Sequence, residues 1–216
     1  MPVIDISLPI GPLTIVPPGD PRPSLTPRLL LSRGDPGTSH RVEMSCHSGM
    51  HLDAPAHFLP DGATVDRIPV DALCGPCAVV DGGDGPVVDE ADLRAKDDLV
   101  RGTRIVLVKT SSSRRGLLRA GRYVEDWAAL SVSAARYLVE AGAAAVGIDY
   151  MSVDACGAPA YPVHHTLLGA GVLILENCCL DGVDEGRYDL TCLPVHLAGA
   201  EGAPVRAFLR PAAVSR

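Results

Sequence analysis

Apolar positions along this chain fall into short blocks, not long periodic stretches. Arg104-Ile-Val-Leu-Val-Lys109 is a continuous apolar run bounded by charge, the pattern of a strand covered on both faces. Ala144 to Asp149 repeats it. Between them, Ser131 is a natural N-cap, Tyr137, Leu138 and Ala141 supply an apolar face, and Gly142 suits the C-terminal cap, so a helix is predicted there. Residues 104–149 therefore read strand, connection, helix, strand. Val88 to Leu99 has acidic residues early and Lys96 late, the charge order of a short helix. Leu167 to Glu176 is a third apolar segment, interrupted by Gly169 and Gly171. Arg41 to Cys46, Thr191 to Leu197 and Val205 to Leu209 read as further strands.

The connections are equally marked. Six prolines fall between residues 11 and 27, which predicts extended, irregular chain. Residues 1–40 are expected to wrap the surface or reach a partner subunit. Ser111 to Tyr123 is polar and Arg-rich and reads as a loop, and Asp81 to Pro86 is a turn cluster. With no internal repeat, the pattern is mixed α/β in one domain, residues 1–216.

Composition narrows the class. Apolar residues make up 47% of the 216 and charged residues 21%, which excludes disorder over most of the chain. Aromatics are only 4%, so aliphatic side chains must fill the core. The formal charge of −7 argues against a surface that tracks phosphates, and no nucleic-acid partner is expected. No apolar run approaches the ~18 residues that span a bilayer, so no membrane partner is expected either. The opening MPVIDISLPI lacks a basic start and a small-residue cleavage site, and a cytoplasmic location is expected.

Seven cysteines at scattered spacing do not form a disulfide framework. Cys74-Gly75-Pro76-Cys77 has the letters of a redox motif. That chemistry needs the first thiol at a helix N-terminus, whereas Ala78-Val79-Val80-Asp81 reads as a strand.

The informative segment is Cys46-His47-Ser48-Gly49-Met50-His51-Leu52-Asp53-Ala54-Pro55-Ala56-His57-Phe58. His47, His51, Asp53 and His57 all hold odd positions. In extended chain, side chains alternate with period 2, so these four share one face. On a helix they would lie at about 0°, 40°, 240° and 280° and would not converge. Imidazole nitrogen with carboxylate oxygen is a ligand set for Zn²⁺, and also for Mn²⁺ or Fe²⁺. Downstream, His164, His165 and Glu176 form a second group, with Glu176 ending the apolar run Val172 to Leu175.

The segment from His47 to Phe58 resembles the His-x-Gly-Thr-His-x-Asp-Ala-Pro-x-His signature of the cyclase-like metal-dependent hydrolases, a family that includes bacterial kynurenine formamidase and isatin hydrolase. The resemblance continues through Asp61-Gly62, Val65-Asp66, Ile68-Pro69, Val146 to Asp149, Ser152-Val-Asp154, His164 to Gly171, Glu176-Asn177 and Leu193 to Ala207. It implies a compact α/β domain with a β-barrel-like mixed sheet and few flanking helices, in a homodimer or larger homo-oligomer. It implies two divalent ions per subunit, Zn²⁺ foremost and Mn²⁺ as the alternative. His47, His51 and Asp53 would bind the first, with Asp53 bridging to a second held by His164 and Glu176. His57 would be the catalytic acid/base.

The function implied is hydrolysis of an amide in a small molecule, most like that of an arylformamidase acting on N-formylkynurenine. The alternative is a cyclase, dehydratase or cyclic-amide hydrolase of secondary metabolism on the same site. Two departures bear on the choice. Met50 stands where the family has a small residue or Thr, and Val16-Pro17-Pro18-Gly19-Asp20 lacks the Trp that formamidases place before their Pro-Gly-Asp.

Overall fold

The computed structural model describes residues 3–212. Met1 and Pro2, part of the opening run considered above, lie outside it, as do residues 213–216 of the expected domain. The strands are β1 (Ile4–Asp5), β2 (Ser24–Leu29), β3 (Ser39–Glu43), β4 (His51–Asp53), β5 (Cys74–Asp81), β6 (Val87–Val88), β7 (Ile105–Lys109), β8 (Ala129–Leu130), β9 (Ala145–Ile148), β10 (Leu173–Glu176), β11 (Gly186–Pro194) and β12 (Gly202–Pro211). The α-helices are α1 (Glu90–Arg94), α2 (Asp97–Val100), α3 (Ser111–Arg114), α4 (Val132–Glu140) and α5 (Pro162–Gly169). None is long and apolar enough to cross a membrane.

Seven strands close on themselves in the order β12-β11-β5-β7-β9-β10-β4, with β4 pairing back to β12. β1 adds to the outside of β12. The run β5-β7-β9-β10 is parallel and the remaining ladders are antiparallel. Closure removes most unpaired edges. Alternation then sorts the apolar runs into two cores. Cys77, Val79, Ile105, Leu107, Leu175 and Leu190 point inward with Leu52 and Leu209. Ala78, Val80, Val106, Val108, Val146 and Ile174 point outward, under Leu138, Leu167 and other residues of the helices. Both faces are covered, which is why Ile105 to Val108 reads as unbroken apolar sequence.

The predicted helix after Ser131 is α4. Ser131 Oγ accepts a hydrogen bond from the backbone N–H of Ala134, and Gly142 turns away at φ +89°. Three expectations need correction. Ser111 to Tyr123 is not all loop: α3 and a 3-10 turn occupy it, because Thr110 caps α3 through the N–H of Ser112. Leu167 to Glu176 is not one segment but the end of α5, a turn at Gly171, and β10. The strand expected over Arg41 to Cys46 is β3, which stops at Glu43 and pairs with β2 in an exposed hairpin. The CGPC segment lies within β5, a strand as expected and not a helix N-terminus, and burial pushes the Cys77 thiol up, which disfavours a thiolate at Cys77.

Candidate metal centre

Leu52 points into the barrel, so its neighbours His51 and Asp53 leave β4 on the outer face. The antiparallel register sets Glu176 of β10 opposite His51. Leu175 is interior, so Glu176 emerges on the same outer face as His51. Gly202 of β12 lies opposite Asp53 on the other side. The period-2 argument holds for residues 51 and 53 only. His47 arrives from a turn in which Gly49 has φ +64°, a conformation open to glycine. His57 ends a 3-10 turn, Pro55–His57. The four residues converge through three local conformations, not along one extended strand.

His164 comes from the first turn of α5, which follows two non-glycine residues in left-handed conformation, Ala160 (φ 58°) and Tyr161 (φ 45°). Asp154 fixes this end of the helix. Its carboxylate accepts the backbone N–H groups of Val163 and His164, both at 3.0 Å. It also accepts His164 Nδ1 at 2.7 Å. His164 is buried and faces the cluster, whereas His165 is exposed.

Three of the ligand candidates, His164, His51 and Glu176, are held by a second contact. With Nδ1 bonded to Asp154, His164 presents Nε2 to the cluster, 3.3 Å from Glu176 Oε1 and 3.6 Å from Asp53 Oδ2. His51 Nδ1 donates to the Gly49 carbonyl at 2.9 Å, and Nε2 lies 3.4 Å from Asp53 Oδ1 and 3.5 Å from Glu176 Oε2. Asn177 donates to the same carbonyl at 3.0 Å. The backbone N–H of Val153 reaches Glu176 Oε1 at 3.0 Å. His47 Nδ1 lies 2.9 Å from Asp53 Oδ1. The His57 ring centre sits 4.1 Å from that of His47 and 6.2 Å from that of His164. Such outer contacts set imidazole tautomers at metal sites.

The electrostatics centre on Asp53, which is 0% exposed. Neither of its oxygens accepts a well-directed hydrogen bond, although three imidazoles surround it. Burial pushes its carboxyl up, but His51, His164 and His47 outweigh this and hold it well below the usual range. Burial likewise works against the His51 imidazolium, yet Asp53 and Glu176 raise it to about 10. His164 is raised to about 12 against its own burial, by Asp154, Asp53 and Glu176. His57 goes the other way, because burial pushes it down more than Asp53 lifts it.

A buried carboxylate with no directed donor costs several kcal/mol unless a charge compensates it. Donor atoms of His47, His51 and Asp53 gather within 4.8 Å of one another, as do those of Asp53, His164 and Glu176. These residues fit a divalent metal, and Asp53 is common to both groups. The sequence left three neighbours without a role. Asp154 stood in a matching block but showed no sign of its bond to His164. Tyr123 and Trp127 are distant in sequence, yet they line the cavity above the cluster, as do Pro17 and Asp20. That cavity has a volume of about 590 Å³.

Comparison with known proteins shows what the chain is similar to. The Cyclase family model, described as "Putative cyclase", matches residues 4–155. A kynurenine formamidase of Salinibacter ruber is 34% identical over 98% of this chain and 99% of its own length. One from Polaromonas naphthalenivorans is 35% identical over 95% of this chain and 89% of its own. Among solved structures, a Bacillus stearothermophilus protein described as a predicted metal-dependent hydrolase superposes with a TM-score of 0.81. It is 32% identical over 96% of this chain and 97% of its own. An isatin hydrolase bound to thioisatinate, 21% identical, shares the fold at a TM-score of 0.80 over 97% of this chain and 92% of its own. Matches that run nearly end to end through one barrel place this chain beyond chance likeness: it belongs to the cyclase family.

Proposed function

We propose that this chain is a metal-dependent amidohydrolase that releases formate from an N-formyl arylamine, with N-formylkynurenine as the type substrate. The observation that carries this reading is the cluster around Asp53, set in a chain that aligns along almost its whole length with kynurenine formamidases. His47, His51 and Asp53 would hold one ion and Asp53, His164 and Glu176 a second. Zinc is the first choice for this nitrogen and oxygen donor set, and manganese the second. When bound, such a metal makes a nucleophile available from water near neutral pH and polarises a carbonyl.

The chain's own residues do the rest. His57 is the acid/base. Its lowered pKa leaves the imidazole neutral at pH 7, able to take a proton from water and pass it to the departing arylamine nitrogen. Asp154 and the Gly49 carbonyl engage Nδ1 of His164 and His51, so that each ring presents Nε2 toward the cluster. Phe58 and Trp127 line the cavity and give an aryl ring flat apolar contact that excludes water. The exposed hairpin β2–β3 carries Leu25, Leu29 and Val42 on its surface, which supports a homodimer or larger assembly. All seven cysteines are free, which supports a reducing, cytoplasmic location.

The test is hydrolysis of N-formylkynurenine by protein loaded with Zn²⁺ or Mn²⁺, against a chelator-stripped control. Metal-dependent turnover is expected. His57→Ala should lower kcat by about 10²–10⁴-fold with metal content unchanged. Absence of turnover at full metal content would reject the formamidase assignment, and wild-type turnover in His57→Ala would remove His57 from the chemistry.

A further inference from the structure

The cavity above the cluster has a charge pattern that hydrolysis alone does not require. Its walls are aromatic, with Phe58, Tyr123, Trp127 and Tyr161. Two further carboxylates line it, Asp20 from the N-terminal segment and Glu201 from the loop before β12. Among the described residues no Lys or Arg lines it. Neither Asp20 nor Glu201 is paired with a Lys or Arg among them; the contact Glu201 makes is Oε1 to His47 Nε2 at 3.4 Å. The Glu201 side chain keeps 44% exposure, so its carboxylate is free to turn toward a ligand.

We infer that this cavity selects arylamine substrates by the charge of the ring's side chain, favouring a cation held by Asp20 and Glu201 and disfavouring an anion. The inference rests on the hydrolase reading of the site and names the substrate class within it. A carboxylate is ordinarily recognised by Arg or Lys, often bidentately, and none faces this space. An ammonium finds two carboxylates and π faces among the lining residues. Aromatic walls also lower the local dielectric, which strengthens both the attraction and the repulsion. An amino-acid side chain satisfies only half of this pattern, because its ammonium is met and its carboxylate is not.

The protein carries its own reporter. Trp127 is the single tryptophan of the chain and lines the cavity. Three 2-aminophenyl ketones that differ only in side chain, an alkylamine, the amino acid kynurenine and a carboxylic acid, absorb where Trp emits. Titrating each into metal-loaded protein and following Trp127 emission gives three dissociation constants. The expected order is amine tightest and acid weakest, about tenfold from end to end and narrowing as salt rises. Asp20→Asn should shrink that ratio, and Asp20→Lys, at an exposed position, should invert it. Glu201→Gln should shrink it too, with metal content measured in parallel because of the His47 contact. Equal affinities, a tighter acid, or an order unmoved by the Asp20 and Glu201 variants would overturn the inference. Binding in the expected order without turnover of any N-formyl derivative would reject the formamidase reading and leave the charge selection standing. Turnover without the order would do the reverse.

Discussion

At the scale of single residues, the site is organised by who holds whom. Asp53 is surrounded by imidazoles, and two of them, His164 and His51, are in turn aimed from behind. Asp154 does this for His164 through a 2.7 Å hydrogen bond, while its other contacts tether the first turn of α5. Asp154→Asn would replace an anionic acceptor with a neutral amide. Metal affinity should fall about 10–100-fold, read by competition with a chromophoric chelator, while far-UV circular dichroism stays native. The histidines and carboxylates were legible in the sequence because metal-ligand chemistry draws on few residue types. Asp154 was not, since one aspartate among many shows its partner only when the chain is folded. The same holds for Trp127, whose indole N–H donates to the Asp154 carbonyl at 3.0 Å and so joins the aromatic wall to the loop that aims His164.

At the scale of elements, the strands read most fully from the sequence were β7 and β9, with both faces buried, while β3, β5, β11 and β12 were legible only over part of their length. α5 was missed because its apolar residues run straight into β10, and its start is set by Pro162 after two left-handed residues, not by a capping side chain. The β4–β12 ladder was also invisible, although it governs the site. A Cβ at Gly202 would stand 2.8 Å from His47 Cε1 and 3.0 Å from the Leu52 carbonyl. Gly202→Ala should therefore displace His47 and weaken metal binding at the first group of donors, while the strand pairing survives. A chelator titration that reads one weakened and one unchanged affinity is the expected result. A second element-level device is Asp89, which caps α1 and accepts the hydroxyls of Ser131 and Ser133 at the start of α4. Those hydroxyls, Ser131 first, hold its carboxyl down at about 2, below the ~3.9 of an unfolded aspartate. The stability it gives is thus fully present above about pH 4 and is lost as pH falls through about 2. The stability difference between wild type and Asp89→Asn should shrink over that window in acid titrations with denaturant.

For the whole molecule, the donors gather on the folded barrel from residues 47 to 176, and an unfolded chain does not present them together. Metal therefore binds the native state preferentially. At a free concentration of 100 times its dissociation constant it should add about 2.7 kcal/mol of stability. Denaturant unfolding with and without chelator measures this, and equal midpoints would mean that the cluster holds no ion. The barrel itself was legible only through family resemblance, because closure depends on pairings between residues far apart in the chain. β4 is three residues long, and it is completed by β10 and by β12. The ladder from Asp53 to Gly202 spans 202 − 53 = 149 residues of sequence. Contacts of such range are slow to form, and during synthesis the chain emerges from its N-terminus. A ribosome can thus have released every histidine of the cluster while β12 is still in the exit tunnel. The seat for the ion is finished only once β12 has emerged and paired with β4, so the choice of metal falls to the closed barrel and the ions around it at that moment, not to the histidines as they first emerge.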